Sequence, residues 1–303
     1  INMDEQYKKD AEDMRKAMAK SGTDEEALIN IVSKRTLEER LKIKEFYINM
    51  FGRDLIEDLK SELSGKLEDA FIALFTDLAE YDADCIKKAV KGLGTDEDTI
   101  IEILGTRPSW FIKKIKEKYL EKYKVELEKD IIDDTSGSFK KLLVALIACG
   151  RKSNKVPDVN ECEKIAQELS QNKDKNEDAF IKYFSISSPH ELLQIARSYH
   201  KLTNNLLSKA IDKEFSGDFK KLLSTILYSN ISPSEYFAYR IFKAIDGIGT
   251  NNKSLIRIVI GRSDIDIPII KQYYKQLYNK DMVEDIKGDI SGDYKKLIEA
   301  ILT

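Results

Sequence analysis

Self-similarity is the feature that most limits how this 303-residue chain can fold. A Ser-Gly pair recurs at Ser64-Gly65, Ser136-Gly137, Ser216-Gly217 and Ser291-Gly292, at offsets of 72, 80 and 75 residues. Two residues ahead of each pair stands an acid: Glu62, Asp134, Glu214 and Asp289. Forty residues before each acid lies a second register point, at Gly22, Gly94, Asp174 and Gly249. Three of these points read Gly-Thr, and the third reads Asp174-Lys175. An arginine follows by 13 residues at Arg35, Arg107 and Arg262, with Ser187 in the third copy. Four homologous units follow, at 4–76, 77–149, 161–230 and 231–303, with a linker at 150–160 between the first pair and the second.

Each unit reads as about five helices. Apolar residues at i, i+1, i+3 and i+4 form one buried helical stripe, as in Leu28, Ile29, Ile31 and Val32 or in Ile100, Ile101, Ile103 and Leu104. In the second unit the first helix runs from Asp82 to Lys91, and KGLGT is a loop. Thr95 then reads as an N-cap, and Thr23 to Glu26 as a capping box. The second helix runs to Arg107, Pro108 opens the third, and FKKLLVALIA is the fifth. Strand alternation is absent, so the expected fold class is all-α.

Composition narrows the function. Apolar residues at 42% and charged residues at 34% allow a buried core under a solvated surface. Fifty Lys and Arg against 53 Asp and Glu leave a net charge of −3, which argues against nucleic acid as a partner. Three scattered cysteines, Cys85, Cys149 and Cys162, make no disulfide framework and point to a reducing compartment. The longest apolar run, residues 142–149, falls well short of the roughly 18 residues of a membrane span. The opening INMDEQYKKD has no apolar core of a secretory signal.

The loops VKGLGTDED and IDGIGTNNK carry the chemistry. Glycine admits positive φ, so such a loop can turn several carbonyl oxygens toward one point. A hard cation such as calcium takes about six to eight oxygens, and carbonyls with a bidentate carboxylate suit it. Structural glycine C-caps and a helix-capping acid are the competing reading of one copy. Recurrence of loop and acid at one spacing in three copies favours the ligand reading.

These elements together resemble the annexin family. The match covers essentially the whole chain: four repeats, the Lys-Gly-x-Gly-Thr loop kept in full in the second and as Gly-x-Gly-Thr in the fourth, the arginine 13 residues on, and the acid-x-Ser-Gly element. The resemblance implies a curved disc of four five-helix repeats whose convex face carries the loops. It implies calcium held by three loop carbonyls and the distant acid, with the ion bridging to acidic phospholipid. In the second repeat the implied ligands are the Val90, Gly92 and Gly94 carbonyls with Asp134. In the fourth they are Ile245, Gly247 and Gly249 with Asp289. The first offers Met18, Lys20 and Gly22 with Glu62, weakened because Lys20 replaces a glycine at a strained position. The third keeps only Glu214. The family's polar channel quartet falls on Asp82, Glu102, Arg107 and Arg257, read here first as a structural salt-bridge network and second as an ion path.

Other motifs fail their tests. Residues 174–185 begin like an EF-hand but place Ala179 and Ser185 where Gly and Glu are required. No phosphate-binding loop, nucleophile elbow or zinc-spaced His/Cys set is present. Trp110 reads as core packing, and residues 113–124 as a solvated helical face. The expected protein is therefore not an enzyme. It binds acidic membranes reversibly when calcium rises, from the cytoplasm, as a monomer in solution that can assemble on membranes. The alternative is an all-α protein-interaction scaffold indifferent to calcium.

Overall fold

A computed structural model describes residues 2–19, 21–171 and 176–303. Among the described residues it contains twenty helices and no strand. The first repeat holds α1 (Met3–Met18), α2 (Glu25–Val32), α3 (Leu37–Phe51), α4 (Leu55–Glu62) and α5 (Gly65–Leu74). The second holds α6 (Leu78–Val90), α7 (Glu97–Thr106), α8 (Ser109–Tyr123), α9 (Leu127–Asp134) and α10 (Gly137–Ile147). The third holds α11 (Val159–Ser170), α12 (Glu177–Ile186), α13 (Pro189–Thr203), α14 (Leu207–Glu214) and α15 (Gly217–Ile231). The fourth holds α16 (Pro233–Ile245), α17 (Asn252–Arg262), α18 (Ile267–Tyr278), α19 (Met282–Asp289) and α20 (Gly292–Leu302).

The helices group into two compact units, residues 1–78 with 237–303, and residues 79–236. The first unit thus pairs repeat one with repeat four, and the second pairs repeat two with repeat three. The connector after α10 lies inside the second unit rather than between units, and its Arg151 is buried there, donating to the Phe184 carbonyl. Packing within each unit is reciprocal. In the second, α7 packs on α15 and α10 on α12; in the first, α2 packs on α20 and α5 on α17. The second helix of one repeat therefore always meets the fifth helix of its partner.

The apolar stripes supply these contacts. Ile100, Ile101, Ile103 and Leu104 are all buried, as are Leu255, Ile256, Ile258 and Val259. At the α7–α15 contact, Gly105 brings the backbones together: a Cβ there would meet Thr225 Cγ2 at 2.8 Å. The third helix of every repeat ends on a left-handed residue, Gly52, Lys124, Asn204 or Asn279, which turns the chain into helix four. Trp110 departs from the sequence expectation. It is exposed, with the Lys114 ammonium over its ring, because α8 buries the face of Ile112, Ile115 and Tyr119.

Candidate calcium-loop sites

In every repeat the distant acid is the last residue of helix four: Glu62 of α4, Asp134 of α9, Glu214 of α14 and Asp289 of α19. The loop glycines follow helix one, whose final residues are Met18, Val90 and Ile245 in the repeats with a described loop. Carbonyls at such a terminus have no partner in the next turn. In these loops the chain turns back instead of continuing the helix. Gly92 and Gly94 sit at φ 122° and 91°, and Gly247 and Gly249 at 153° and 86°. Gly22 adopts φ 91° in the first repeat. Lys20 and residues 172–175 lie outside the described residues, so the sequence expectations for the first loop's middle and the third loop are not addressed by the structure.

Each loop closes on itself and then on the acid. The Asp24, Asp96 and Asn251 amides donate to the Ala17, Ala89 and Ala244 carbonyls at 3.0, 2.9 and 2.7 Å. The next side-chain contact joins loop to acid. The Thr23 hydroxyl donates to Glu62 Oε2 at 2.8 Å, and the Thr95 hydroxyl to Asp134 Oδ2 at 2.5 Å. Thr250 makes the same bond to Asp289 Oδ2. The structure therefore brings Gly22 and Glu62, Gly94 and Asp134, and Gly249 and Asp289 into three separate constellations. This corrects one detail of the sequence reading. The N-caps are Asp24, Asp96 and Asn251, not the threonines, because their side chains accept from Ala27, Thr99 and Ser254 and leave the threonine hydroxyls for the acids.

A brace one helical turn below, not apparent from the sequence, orients loop and acid together. Asp130 precedes Asp134 by one turn of α9 and accepts from Tyr119 of α8 at 2.6 Å and from Lys87 of α6 at 2.7 Å. Lys87 lies one turn before Val90. Burial pushes the Asp130 carboxyl up, but the Lys87 and Tyr119 hydrogen bonds outweigh it and hold it below the usual range. The first repeat repeats the device with Tyr47 on Asp58 at 2.6 Å and Arg15 at 3.6 Å. The fourth keeps Tyr274 on Asp285 at 2.5 Å. A recurring Tyr and Asp, eleven residues apart, was the available signal. In the third repeat Tyr199 faces that register with Ala210, and burial pushes the Glu214 carboxyl up with only Lys213 opposing.

No three His, Cys, Asp or Glu converge on a metal-sized site among the described residues. In the three described loops the threonine meets one distant carboxylate while Asp24 and Asp96 are engaged as N-caps, so backbone oxygens would have to supply most of a cation's shell, and oxygen-only donors fit a hard ion. Leu93 and Ile248, between the paired glycines, are fully exposed apolar tips.

Of the polar quartet, Asp82 lies in α6, Glu102 in α7, Arg107 at the end of α7 and Arg257 in α17. Asp82, Glu102 and Arg257 are buried at 2%, 1% and 4% exposure. Arg107 Nε donates to Asp82 Oδ2 at 2.7 Å and its Nη2 to Oδ1 at 3.2 Å, a bidentate clasp from the end of α7 to α6. In the first repeat Arg35 Nε makes a single bond to Asp10 Oδ2 at 2.7 Å. In the fourth repeat Phe237 takes the acid's place; Arg262 lies over its ring and pairs with Asp266. The third repeat has Cys162 and Ser187 there, so acid and arginine are lost together. No described helix is long and apolar enough to cross a membrane.

Comparison with known proteins agrees with this architecture. The annexin family model matches residues 9–74, 81–146, 161–226 and 236–301. Human annexin A7 is 39% identical over 298 residues, 97% of this chain, which spans only 61% of that relative's length. The solved structure of annexin III superposes with a TM-score of 0.95 at 35% identity, covering 98% of this chain and 93% of the other. A structure titled calcium-bound annexin (Sm)1 gives a TM-score of 0.88 at 28% identity, covering 98% and 90%.

Proposed function

Because this chain belongs to the annexin family, whose members are non-enzymatic calcium- and phospholipid-binding proteins, we propose that its loops bind calcium and through it acidic membranes. In the second repeat the Val90, Gly92 and Gly94 carbonyls and Asp134 hold one ion. In the fourth, Ile245, Gly247 and Gly249 with Asp289 hold another. The observation carrying this reading is the threonine-to-acid hydrogen bond, which seats a carboxylate beside a left-handed glycine loop in both repeats.

Three carbonyls and one bidentate carboxylate leave the shell of a calcium ion incomplete, since it takes about six to eight oxygens. Water and lipid phosphate fill the remainder. Neither protein nor membrane completes the shell alone, so each raises the affinity of the other for calcium. Several such loops on one molecule add as avidity. The exposed Leu93 and Ile248 then meet the apolar edge of the headgroup layer. Association is peripheral, reversible and made from the cytoplasm. The first repeat, with Met18, Gly22 and Glu62, is the weaker site, and the third stays empty in this mode because it has neither loop glycine nor the threonine. The Asp82–Arg107 clasp favours a structural role for the polar quartet.

Sedimentation with phosphatidylserine vesicles tests the reading. Binding should require calcium, reverse with chelator, and need more calcium after Asp134→Ala and Asp289→Ala together, with helix content unchanged. Calcium-independent sedimentation would favour the scaffold alternative. An unchanged calcium requirement in the double variant would make the acids structural.

A further inference from the structure

We infer that the hydroxyls of Thr23, Thr95 and Thr250 are positioning groups for calcium, each fixing one oxygen of its repeat's distant carboxylate so that the other face of that carboxylate stays free for the ion. This rests on the loop-and-acid reading above and adds to it a residue that supplies no ligand itself.

The geometry gives each threonine little freedom. Thr95 stands between Gly94, at φ 91°, and Asp96, whose amide is tied to the Ala89 carbonyl at 2.9 Å and whose side chain caps α7 at the Thr99 amide, 3.1 Å away. The hydroxyl is thereby directed at Asp134 Oδ2 at 2.5 Å, with the Asp134 carbonyl at 3.3 Å as its second neighbour. Thr250 repeats the arrangement on Asp289, whose carbonyl lies at 3.1 Å. Thr23 reaches Glu62 at 2.8 Å although this acid is one methylene longer. Three independent copies thus converge on one contact across different acids and different neighbouring sequences.

A carboxylate oxygen has two lone pairs, so a hydroxyl donor on one leaves the other for a cation. The bond also withholds rotamers that point the acid into solvent, which a calcium ion would otherwise have to select against. The third repeat supplies the internal contrast. Lys175 occupies the threonine position, and among the described residues no side chain donates to Glu214, whose carboxyl is pushed up by burial. A partner that orients a metal ligand from behind is worth on the order of 10- to 100-fold in affinity.

The test uses the full chain with phosphatidylserine–phosphatidylcholine vesicles and reads the calcium concentration at half-maximal sedimentation. Thr23→Val, Thr95→Val and Thr250→Val together keep the shape and remove the donor. They should raise that concentration about tenfold, while the three Thr→Ser changes, which restore the donor, stay near wild type. Adding the Val changes to Asp134→Ala and Asp289→Ala should then produce little further loss at those two loops. A Val chain that melts normally and binds at wild-type calcium would overturn the inference, as would a Ser chain as impaired as the Val chain. If the Val chain does not fold, Thr→Ala takes its place with the same two criteria. The acid variants separate this outcome from the parent reading: if they too bind at wild-type calcium the site assignment itself fails, whereas impaired acid variants beside an unaffected Val chain refute only the role of threonine.

Discussion

Breaking the clasp between Asp82 and Arg107 should destabilise the second unit far more than removing a surface charge pair. The two groups make a bidentate contact at 2.7 and 3.2 Å, and their side chains are 3% and 16% exposed. Removing one partner of a buried pair costs about 3–5 kcal/mol because the other charge is left desolvated. Arg107 keeps its 16% exposure and a bond to the Thr106 hydroxyl at 3.0 Å, which soften the loss. For Asp82→Ala we therefore expect about 2–3 kcal/mol, or roughly 4–12 °C in Tm for a unit of this size. The assay is thermal unfolding followed by circular dichroism in chelator, so that no bound ion contributes. Arg107→Met completes a double-mutant cycle: the paired change should cost less than the sum of the singles by at least about 1 kcal/mol. Additive losses, or an Asp82→Ala chain melting with the wild type, would show that the pair does not act as a unit.

Lys124 holds a left-handed φ of 57° at the end of α8, where glycine is favoured, so Lys124→Gly should raise stability by about 0.5–1 kcal/mol in the same melting assay. Gly105→Leu should destabilise by about 1–3 kcal/mol, since even a Cβ meets Thr225 at 2.8 Å; a Leu chain as stable as wild type would mean that α7 and α15 are free to move apart. Burial and the Asp58 hydrogen bond push the Tyr47 phenol up to about 12. A raised pKa stabilises the fold fully below the unfolded value near 10 and loses that contribution as pH climbs to 12. Resistance to urea should thus fall between those values, and Tyr47→Phe should flatten the slope. Leu93→Ser with Ile248→Ser should weaken vesicle binding at saturating calcium while leaving the chelator-state melting curve unchanged, because both side chains are exposed.

The register was legible because the four copies share it. Helix boundaries follow from the stripes and the Ser-Gly punctuation, and the placement of each acid at the end of a fourth helix matches the constant spacing of forty. Other features were not legible. A capping Thr and a capping Asp are interchangeable in sequence terms, and only the geometry shows that Asp96 caps α7 while Thr95 turns to Asp134. Trp110 was misread because a single aromatic residue carries no periodicity; its side of α8 is decided by Ile112, Ile115 and Tyr119. The connector at 150–160 marks the boundary between the second and third repeats and carries no signal of which repeats pack together. Pairing of the second helix of one repeat with the fifth of another is a tertiary choice that no local pattern in the connector reveals.

The third repeat shows which of these devices hold the fold and which serve the loop. It keeps its core, with Phe180, Phe184, Leu192 and Ile195 buried, and the left-handed Asn204 at the end of α13. It has lost the arginine clasp, at Cys162 and Ser187, and the aspartate of the brace, at Ala210. It has also lost the lysine that elsewhere ties helix three to the end of helix five: Lys44 reaches the Phe75 carbonyl at 3.3 Å and Lys116 the Ile147 carbonyl at 3.1 Å, but Ala196 stands in that register. The capping box of α13, from Ser188 and Glu191, is shared with the first repeat, where Thr36 and Glu39 form it on α3. The contacts special to the third repeat are those of its connector: Lys155 pairs with Glu191 at 2.8 Å, and Arg151 holds the Phe184 carbonyl near the end of α12. A repeat that replaces its structural ties but not its loop threonine or its brace is under packing constraint without loop constraint. The third repeat thus lacks the loop threonine and the brace aspartate together while its core persists, so neither group is needed for the repeat to fold.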